Sequence, residues 1–443
     1  MRTAALHNLG CKVNSYETEA MQQLLEEAGY EIVPFHEKAD VYIINTCSVT
    51  NIADRKSRQM LHRAKKQNPD AVVVAAGCYV QAAAEELKAD LAVDVIIGNN
   101  KKQDLVPILE EYFKDKSDSS HVIEISETHE YERLSIHKIA DHTRAFLKIQ
   151  DGCNQFCSYC IIPYTRGRVR SRRLDEVVAE VRELAAAGYQ EVVLTGIHLS
   201  SYGVDFKEEE KKENLLSLIK QVHEVEGIRR IRLGSLEPRI ITEEFAQALA
   251  SMPKFCPHFH LSLQSGCDKT LKRMNRHYTT EEYAAGCEIL RRYFDNPAIT
   301  TDVIVGFPGE TEEEFEETKA FLERIGFYEM HIFKYSRRVG TRADRMPDQI
   351  PEQVKSVRSE ILLKLEKQMS KAYRESFLGR NKTVLLEEKT EINGREYMIG
   401  HTMEYVKAVV PYEENLKNKM AEGVLKGVLN DEVLLLDESW KVV

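Results

Sequence analysis

Three cysteines in one short segment carry the clearest potential for chemistry in this sequence. Cys153, Cys157 and Cys160 follow the apolar run Ala145–Ile149 at a C-x3-C-x2-C spacing. Three thiolates can hold three irons of a four-iron cluster and leave the fourth iron free to bind a small molecule. A structural zinc ion usually requires a fourth protein ligand and paired C-x2-C halves, and no second half lies nearby. The spacing therefore favours an open iron–sulfur cluster over a zinc site or buried thiols.

Three further cysteines, Cys11, Cys47 and Cys78, are spread through the first hundred residues. Residues 1–114 alternate between strand and helix patterns, which predicts a doubly wound parallel sheet with helices on its faces. Each of these cysteines stands one or two residues past a predicted strand, and the carboxyl ends of parallel strands gather at one edge. We therefore expect the three thiols to converge on a second cluster, although free cysteines are often simply buried. The predicted strands are Thr3–Leu9, Val41–Asn45 and Ala71–Ala76.

Residues 139–371 alternate again, with six predicted strands separated by helices. Such repeats predict a (βα)6 partial barrel whose chemistry lies at the carboxyl ends of its strands, where the Cys153 loop also lies. Gly196, Ser235 and Gly306 follow three of the other strands, and small residues there let a cofactor approach the backbone, although ordinary turns use them too. The predicted strands are Ala145–Ile149, Glu191–Leu194, Ile228–Leu233, Phe259–Leu263, Ile299–Val305 and Glu329–Phe333.

Two segments outside these repeats have distinct patterns. Residues 115–138 lose the alternation and are predicted to be a linker. Residues 372–443 contain five short strand patterns, including a hairpin at Asn393-Gly394, and predict a small all-β barrel of the oligonucleotide-binding (OB-like) kind. This last segment contains ten Lys or Arg against thirteen Asp or Glu, so its charge does not favour RNA binding.

A dense run of arginines follows the Cys153 loop. Five arginines within eight residues can form a solvated surface, or can hold phosphates or carboxylates beside the metal site. The sequence leaves both interpretations open. The run consists of Arg166, Arg168, Arg170, Arg172 and Arg173.

The composition is that of a soluble protein of a reducing compartment. The chain has 443 residues, 43% of them hydrophobic and 30% charged, with a net charge of −10 and nine cysteines. No apolar run is long enough for a membrane helix, and no secretory signal is evident. We therefore expect a cytoplasmic protein without a membrane partner, whose cysteines serve metal or redox chemistry.

The combined motifs resemble a known family. The C-x3-C-x2-C loop resembles the signature of radical S-adenosylmethionine enzymes, and the chain as a whole resembles their methylthiotransferase family. That resemblance implies a cluster domain at 1–114, a linker at 115–138, a radical core at 139–371 and a terminal TRAM domain at 372–443. The supporting runs are Asn45–Cys47, Gly77-Cys78, Leu263–Asp268 and Val305–Thr311.

A short run suggests the branch of that family. Leu9–Glu17, which reads LGCKVNSYE, resembles the branch that acts on threonylcarbamoyladenosine at position 37 of tRNA. The branch acting on isopentenyladenosine tends to carry Gln-Met-Asn after the first cysteine, and the branch acting on a ribosomal protein aspartate tends to carry Pro-Lys-Asn. The same chemistry on either of those substrates therefore remains an alternative.

The resemblance also implies a mechanism with two 4Fe-4S clusters. The Cys153, Cys157 and Cys160 cluster would bind S-adenosylmethionine, whose reductive cleavage gives a 5′-deoxyadenosyl radical that abstracts hydrogen from C2 of adenine. The Cys11, Cys47 and Cys78 cluster would carry the sulfur to be inserted, and a second S-adenosylmethionine would supply the methyl group. Gly196, Ser235 and Gly306 are predicted for the cofactor pocket from their strand-end positions alone.

The partners implied are a tRNA anticodon loop held by the TRAM-like domain, a reductase or flavodoxin-type electron donor, and a sulfur donor. Bases in loops are the least costly to extrude into a pocket. A non-catalytic RNA-binding protein with an iron–sulfur or zinc site remains the rival class. Cys256, Cys267 and Cys287 are expected to be structural, because free cysteine commonly packs as a small hydrophobic residue.

Overall fold

The computed structural model describes residues 2–116, 119–136, 143–207 and 213–443. Its N-terminal part is a parallel sheet whose strands are β1 (Thr3–Asn8), β2 (Glu31–Ile32), β3 (Val41–Thr46), β4 (Val72–Gly77), β5 (Val95–Ile97) and β6 (Ser120–His121). The strand order is β2-β1-β3-β4-β5-β6. The helices are α1 (Lys12–Glu27), α2 (Asn51–Gln67), α3 (Cys78–Ala82), α4 (Ala84–Lys88) and α5 (Leu105–Lys114).

Helices cover both faces of this sheet, as the sequence predicts. Every residue of β3 and β4 is buried, which is typical of parallel strands covered on both sides. Ile43 packs in a core with Met21 of α1, whereas its neighbour Tyr42 packs in a second core with Leu61 of α2. This alternation confirms the doubly wound arrangement and brings the carboxyl ends of β1, β3 and β4 side by side.

The central part of the chain is an open half-barrel. Its strands are β7 (Arg144–Asp151), β8 (Arg170–Ser171), β9 (Glu191–Gly196), β10 (Arg230–Leu233), β11 (His258–His260), β12 (Ala298–Val305) and β13 (Glu329–Lys334). Six of them are parallel, in the order β7-β9-β10-β11-β12-β13, with single bridges such as Ile231 to Phe255 joining its two sheets. The short β8 pairs antiparallel with β7. The six predicted strands and the partial barrel are confirmed.

The two faces of the half-barrel differ in chemistry. Leu147, Leu194 and Ile299 point outwards into the main apolar core, which the surrounding helices complete. Because side chains alternate along a strand, Phe146 and Arg232 lie on the inner face. The helices are α6 (Ile162–Thr165), α7 (Leu174–Ala186), α8 (Leu215–His223), α9 (Glu243–Ala250), α10 (Asp268–Arg273), α11 (Thr280–Tyr293), α12 (Glu312–Ile325) and α13 (Glu352–Glu375).

The predicted linker at 115–138 is packed where the structure describes it. β6 adds a strand to the N-terminal sheet, and Ile125, Leu134 and Ile136 are buried. The buried carboxylate of Glu132 accepts a hydrogen bond from the Lys102 amide. Leu134 and Ile136 pack in the main apolar core, so the segment is in contact with the rest of the chain although its sequence shows no strand–helix alternation. Positions 117–118 and 137–142 lie outside the described residues.

The C-terminal part is a small β-barrel, as predicted. Its strands are β14 (Asn381–Ile392), β15 (Arg395–His401), β16 (Lys407–Pro411), β17 (Met420–Asn430), β18 (Val433–Leu436) and β19 (Lys441–Val442). The order is β14-β15-β16-β18-β17-β19, and β14 also pairs with β17, which closes five strands into a barrel. Asn393 and Gly394 turn the first hairpin with φ angles of 53° and 74°, as the favoured two-residue turn requires. β14 continues through both strand patterns expected before the turn.

The C-terminal barrel docks against the half-barrel partly through its main-chain atoms. Arg230 donates hydrogen bonds to the carbonyl oxygens of His401 and Thr383 at 2.8 and 2.6 Å. Arg232 donates to the carbonyl oxygen of Met403 at 2.9 Å. The connecting helix α13 passes the expected boundary at 371 and ends at Glu375. Among the described helices, none has the length and apolar composition needed to cross a membrane.

Candidate active site

The Cys153 loop follows β7 at the carboxyl end of the half-barrel. Gly152 has a φ of +69°, and a Cβ atom there would lie 1.8 Å from the carbonyl oxygen of Arg168, so only glycine fits. The Cys153 amide donates to the Gly167 carbonyl at 3.0 Å, and the Cys160 amide donates to the Cys157 carbonyl at 3.0 Å. The backbone therefore folds the three cysteines into one tight turn.

The segment after α10 holds this loop from the opposite side. The Ser158 amide donates to the Met274 carbonyl at 3.0 Å, and the Asn275 side chain donates to the Phe156 carbonyl at 3.1 Å. Arg276 Nη1 lies 3.2 Å from Cys157 Sγ. This guanidinium places a positive charge and a hydrogen-bond donor beside a thiol that acts as a ligand only when it is deprotonated.

A cavity of about 130 Å³ lies against the three thiols. Burial raises the pKa of Cys153 to about 11, with Cys157 acting in the same direction and Arg276 opposing it. Burial also raises the pKa of Cys160, and the thiols of Cys157 and Cys153 add to the rise, so the three sulfurs lie close together. Polar groups complete the wall of the cavity: His198, Ser235, Glu237, Ser262, Gln264 and Arg276.

These residues fit a cluster that binds a small polar cofactor. The wall opposite the thiols offers hydroxyl, amide, carboxylate and guanidinium groups, which suit the charged end of an amino acid. His198 Nδ1 lies 2.7 Å from Ser201 Oγ, whereas its Nε2 is buried and has no hydrogen-bond partner among the described residues. Buried polar atoms normally have a hydrogen-bond partner, so an unpaired nitrogen at the cavity wall is consistent with a site that binds a polar ligand.

Of the three residues predicted for the cofactor pocket, one lines this cavity and two do not. Ser235 lines it. Gly196 lies next to two lining residues, and a Cβ on it would lie 2.9 Å from Gln150 Oε1. Gly306 instead faces α13, where a Cβ would lie 2.3 Å from Lys355 Cγ. The contribution of all three to cofactor binding remains a prediction.

Sequence reasoning did not single out three of the lining residues: His198, Glu237 and Arg276. Gln264, by contrast, directly follows a predicted strand and lies within the Leu263–Asp268 run that supports the family resemblance. It also has a φ of +71°, a conformation that is uncommon outside glycine. No sequence pattern points to Arg276, because its contact with Cys157 joins residues 119 positions apart.

The second cysteine trio converges as the strand pattern predicts. Cys11 immediately precedes α1, Cys47 directly follows β3 and Cys78 begins α3. A Cβ on Gly10, whose φ is +116°, would lie 3.1 Å from Cys47 Sγ, so the chain before Cys11 packs against the second cysteine. Burial raises the pKa of Cys47 to about 12, and the nearby thiols of Cys78 and Cys11 act in the same direction. Cys11 is exposed, which leaves one side of the trio open.

Two buried side chains join the trios. Arg166 Nε donates to Cys78 Sγ at 3.2 Å, and the same guanidinium pairs with Glu17 at 2.8 Å and Asp151 at 3.1 Å. Asn99 Nδ2 lies 3.6 Å from Cys78 Sγ and donates to the Thr165 carbonyl at 2.7 Å. Because Thr165 and Arg166 follow the Cys153 loop directly, these contacts fix one trio relative to the other.

The arginine run is largely buried and binds carboxylates of the protein itself. Arg166 and Arg170 are fully buried around Asp151, and Arg172 pairs with Glu180. Of the five arginines, Arg168 alone is exposed. The interpretation of the run as a solvated surface is therefore wrong.

The remaining cysteines lie apart from both trios. Cys256, Cys267 and Cys287 are fully buried. Cys287 packs in the main apolar core, and the thiol of Cys267 lies 3.2 Å from Glu317. Their surroundings are those of structural thiols.

Comparison with known proteins agrees with this geometry. The sequence profile of the Radical SAM superfamily matches residues 147–322, and that of the uncharacterized protein family UPF0004 matches residues 3–98. The chain is 43% identical over 447 residues to "Threonylcarbamoyladenosine tRNA methylthiotransferase MtaB" of Bacillus subtilis, covering 98% of each chain. It is 36% identical to "tRNA-2-methylthio-N(6)-dimethylallyladenosine synthase" of Moorella thermoacetica, covering 95% of this chain and 94% of the other.

Solved structures share the fold. The radical S-adenosylmethionine methyltransferase TsrM from Kitasatospora setae superposes with a TM-score of 0.58 at 18% identity, covering 77% of each chain. The half-barrel and its cysteine loop define a radical S-adenosylmethionine enzyme. The chain belongs to the methylthiotransferase family of these enzymes.

Its cofactors are two 4Fe-4S clusters and S-adenosylmethionine. When bound, they supply the one-electron chemistry that activates an unreactive C–H bond and the sulfur and methyl groups that are transferred.

Proposed function

We propose that this enzyme converts N6-threonylcarbamoyladenosine at position 37 of tRNA to its 2-methylthio derivative. The observation that carries the proposal is similarity over nearly the full length to proteins bearing that name, at 43% and 41% identity. The run Leu9–Glu17, which resembles the threonylcarbamoyladenosine branch, supports the same substrate. Methylthiolation of isopentenyladenosine is the second candidate, because a synthase of that product is 36% identical.

The two trios have separate roles in this proposal. Cys153, Cys157 and Cys160 hold the cluster next to the cavity wall of Ser235 and Gln264, where S-adenosylmethionine binds. Cys11, Cys47 and Cys78 hold the cluster that carries sulfur. Gly196, which ends β9, and Gly306, which directly follows β12, are the other two residues of the proposed cofactor site.

The surface around the trios supports docking of an anticodon loop. Arg338 donates to Asn51 and Asp54 at 2.7 Å, which binds the loop after β13 to the start of α2. The Ala343 amide in that loop donates to the Ser158 carbonyl at 2.7 Å, so the loop also touches the Cys153 turn. Four exposed cations lie on these two segments, one of which begins shortly after Cys47 while the other touches the Cys153 turn. We call them the basic rim: Arg55, Lys56, Arg342 and Arg345.

The basic rim is available to phosphates. In the part of the chain that the structure describes, none of its four side chains forms an ion pair, and phosphate contacts supply a large share of the affinity of proteins for nucleic acids. In the C-terminal barrel, by contrast, Lys382 pairs with Glu404 at 2.6 Å and Lys389 pairs with Glu396 at 2.6 Å. We infer that the rim contributes to anticodon-loop binding together with the proposed TRAM domain.

We also propose a division of the chain into four parts, two protein partners and a cellular location. The chain is divided into a cluster domain at 1–114, a connecting segment at 115–138, a radical core at 139–371 and a TRAM domain at 372–443. A reductase or flavodoxin-type protein delivers the electrons, a separate donor replenishes the sulfur, and the enzyme acts in the cytoplasm.

Nucleoside mass spectrometry tests the proposal directly. Anaerobically reconstituted protein is incubated with S-adenosylmethionine, a strong reductant and tRNA lacking methylthio groups. We expect a methylthio group on threonylcarbamoyladenosine. The same group on isopentenyladenosine would retain the mechanism and overturn the substrate, and cofactor cleavage without a modified nucleoside would point to a protein substrate.

Single cysteine variants separate the two clusters. We expect Cys157→Ala to abolish cofactor cleavage, and Cys47→Ala to retain cleavage while losing sulfur insertion. Each variant should hold about four irons per chain where the parent holds about eight. Cys287→Ala in the apolar core is the matched control and should keep both reactions. Full methylthiolation by Cys47→Ala would exclude the second cluster.

A further inference from the structure

Lys12 directs a cation into the half-barrel beside the second trio. It is the first residue of α1 and directly follows Cys11. Its Nζ lies 6.0 Å from the centre of the Phe146 ring on β7. Phe146 belongs to the inner face of the sheet, because its neighbours Ala145 and Leu147 pack in the outer core. The ammonium therefore projects into the space between Cys11 and the inner face.

This ammonium has no carboxylate partner in the described part of the chain. The charged groups that act on it are Arg232, Arg144, Glu191 and the thiol of the adjacent Cys11, and Glu191 is the only carboxylate among them. The Glu191 carboxylate is already bound by Arg232 at 2.8 Å. Arg144 pairs with Glu387 at 3.1 Å, so both arginines have their own carboxylates. Lys12 alone among these cations lacks a carboxylate partner.

An unpaired cation in a partly enclosed, positively charged space favours an anionic ligand. Coulomb attraction is stronger there than in open water, and the neighbouring guanidinium groups add to it. An apolar group in the same place would have to displace water from the ammonium without replacing its interactions. The site therefore favours an anionic ligand and disfavours an apolar one.

The two candidate substrates differ in this property. A threonylcarbamoyl group on N6 ends in a carboxylate and carries a hydroxyl, whereas a dimethylallyl group is an uncharged hydrocarbon. We propose that Lys12 is a specificity-determining residue that binds the carboxylate of the threonylcarbamoyl group. The inference rests on the proposed function, because it assumes that this nucleoside enters the half-barrel.

The test compares three synthetic anticodon stem-loops that differ only at position 37. One carries threonylcarbamoyladenosine, the second carries its methyl ester, and the third carries dimethylallyladenosine. Equilibrium binding to the holoenzyme is measured by fluorescence anisotropy without reductant, and kcat/KM for methylthiolation is measured with reductant. Both measurements are made for the parent protein, for Lys12→Met and for Lys12→Arg.

We expect the parent to prefer the acid over the ester by roughly 10- to 100-fold, as for loss of one charged hydrogen bond. Lys12→Met should lower binding and kcat/KM for the acid to the level of the ester and leave the ester unchanged. Lys12→Arg should restore part of the preference, because it keeps the charge. Lys38→Met, at an exposed lysine before β3 on the opposite edge of the sheet, is the matched control and should match the parent.

Two results would overturn the inference. Equal weakening of acid and ester by Lys12→Met would assign Lys12 to a phosphate of the RNA backbone. An unchanged preference for the acid would assign the carboxylate to another residue. Failure of the proposed function is distinct, because the parent itself would then modify the dimethylallyl stem-loop and not the acid. An iron content of about eight per chain and unchanged circular dichroism show that Lys12→Met is folded and loaded.

Discussion

Arg166 connects the two cysteine trios through one guanidinium group. It touches Cys78 while it neutralises Glu17 and Asp151, and all of these side chains are buried. Removing one partner of a buried ion pair typically costs about 3–5 kcal/mol, because the remaining charge has no water to solvate it. The distance between the trios therefore depends on a residue that ligates neither cluster.

The Cys153 turn requires glycine at position 152. Gly152→Ala places a Cβ 1.8 Å from a carbonyl oxygen in a backbone conformation with φ of +69°. We expect this substitution to displace the Cys153 turn and reduce the iron content from about eight to about four per chain. Iron analysis and a cofactor-cleavage assay measure the effect.

Gly326→Ala is the control for Gly152→Ala. Its φ is +67°, but nothing lies within 4 Å of the added Cβ. It should therefore cost only the backbone strain of about 1–2 kcal/mol and keep both clusters. If the two variants bind iron equally, the close contact at Gly152 does not determine the loop.

At the scale of elements, buried ion pairs between neighbouring strands stabilise the inner face of the half-barrel. Glu191 on β9 is buried between Arg230 and Arg232 on the neighbouring β10. Burial alone would raise the pKa of Glu191, but the two guanidinium groups outweigh it and hold the pKa at about 2. The folded state therefore binds this proton much more weakly than the unfolded chain does.

This pKa shift predicts a pH-dependent stability difference. Because the folded pKa is lowered from an ordinary 4.5, the stabilisation is complete above about pH 4.5 and is lost as the pH falls towards 2. Glu191→Gln should lower the free energy of unfolding by about 3–5 kcal/mol at pH 7. Its deficit relative to the parent should shrink below about pH 4.5.

Urea unfolding of cluster-free protein at a series of pH values measures this difference without interference from acid-labile clusters. Glu413→Gln, at an exposed position in the C-terminal barrel, should differ from the parent by less than about 0.5 kcal/mol. A deficit of Glu191→Gln that stays constant down to pH 3 would contradict the assigned role of the ion pair.

At the scale of the whole molecule, an RNA must reach both trios at once, and the basic rim lies on segments far apart in sequence. Reversing its charges in Arg55→Glu/Lys56→Glu would remove the proposed phosphate contacts near Cys47. We expect the affinity for the anticodon stem-loop to fall at least about tenfold. The slope of log K against log salt should become shallower by about 0.7 per lost contact.

Anisotropy titrations at several salt concentrations measure this slope. The control is Lys38→Glu/Arg182→Glu, which changes the net charge equally at two exposed positions outside the rim. Equal losses for the two double variants would mean that net charge, and not the rim, determines RNA binding.

Local patterns predicted most of the architecture. Periodicity placed β1, β3 and β4 correctly, so the convergence of Cys11, Cys47 and Cys78 followed from sheet geometry. The Asn393-Gly394 turn was also predictable, because its two positive φ values suit those residue types.

Long-range contacts explain what the sequence did not reveal. Arg276 reaches Cys157, and the arginine run faces carboxylates that lie on other elements. A charged run is identical in sequence whether it meets water or buried carboxylates, so only the fold distinguishes the two. The packed segment 119–136 was missed for the same reason, because Glu132 and Ile125 each contact distant partners.

The docking of the C-terminal barrel has a consequence for the evolution of its sequence. Arg230 and Arg232 grip carbonyl oxygens of Thr383, His401 and Met403, which every amino acid possesses. These particular hydrogen bonds therefore do not depend on the side chains at positions 383, 401 and 403, provided that the backbone path is kept, whereas the ion pair of Arg144 with Glu387 does depend on a side chain of the barrel. Barrels from diverged relatives that keep a carboxylate at position 387 should therefore be exchangeable on this half-barrel, so that the barrel can evolve separately from the site of the radical chemistry.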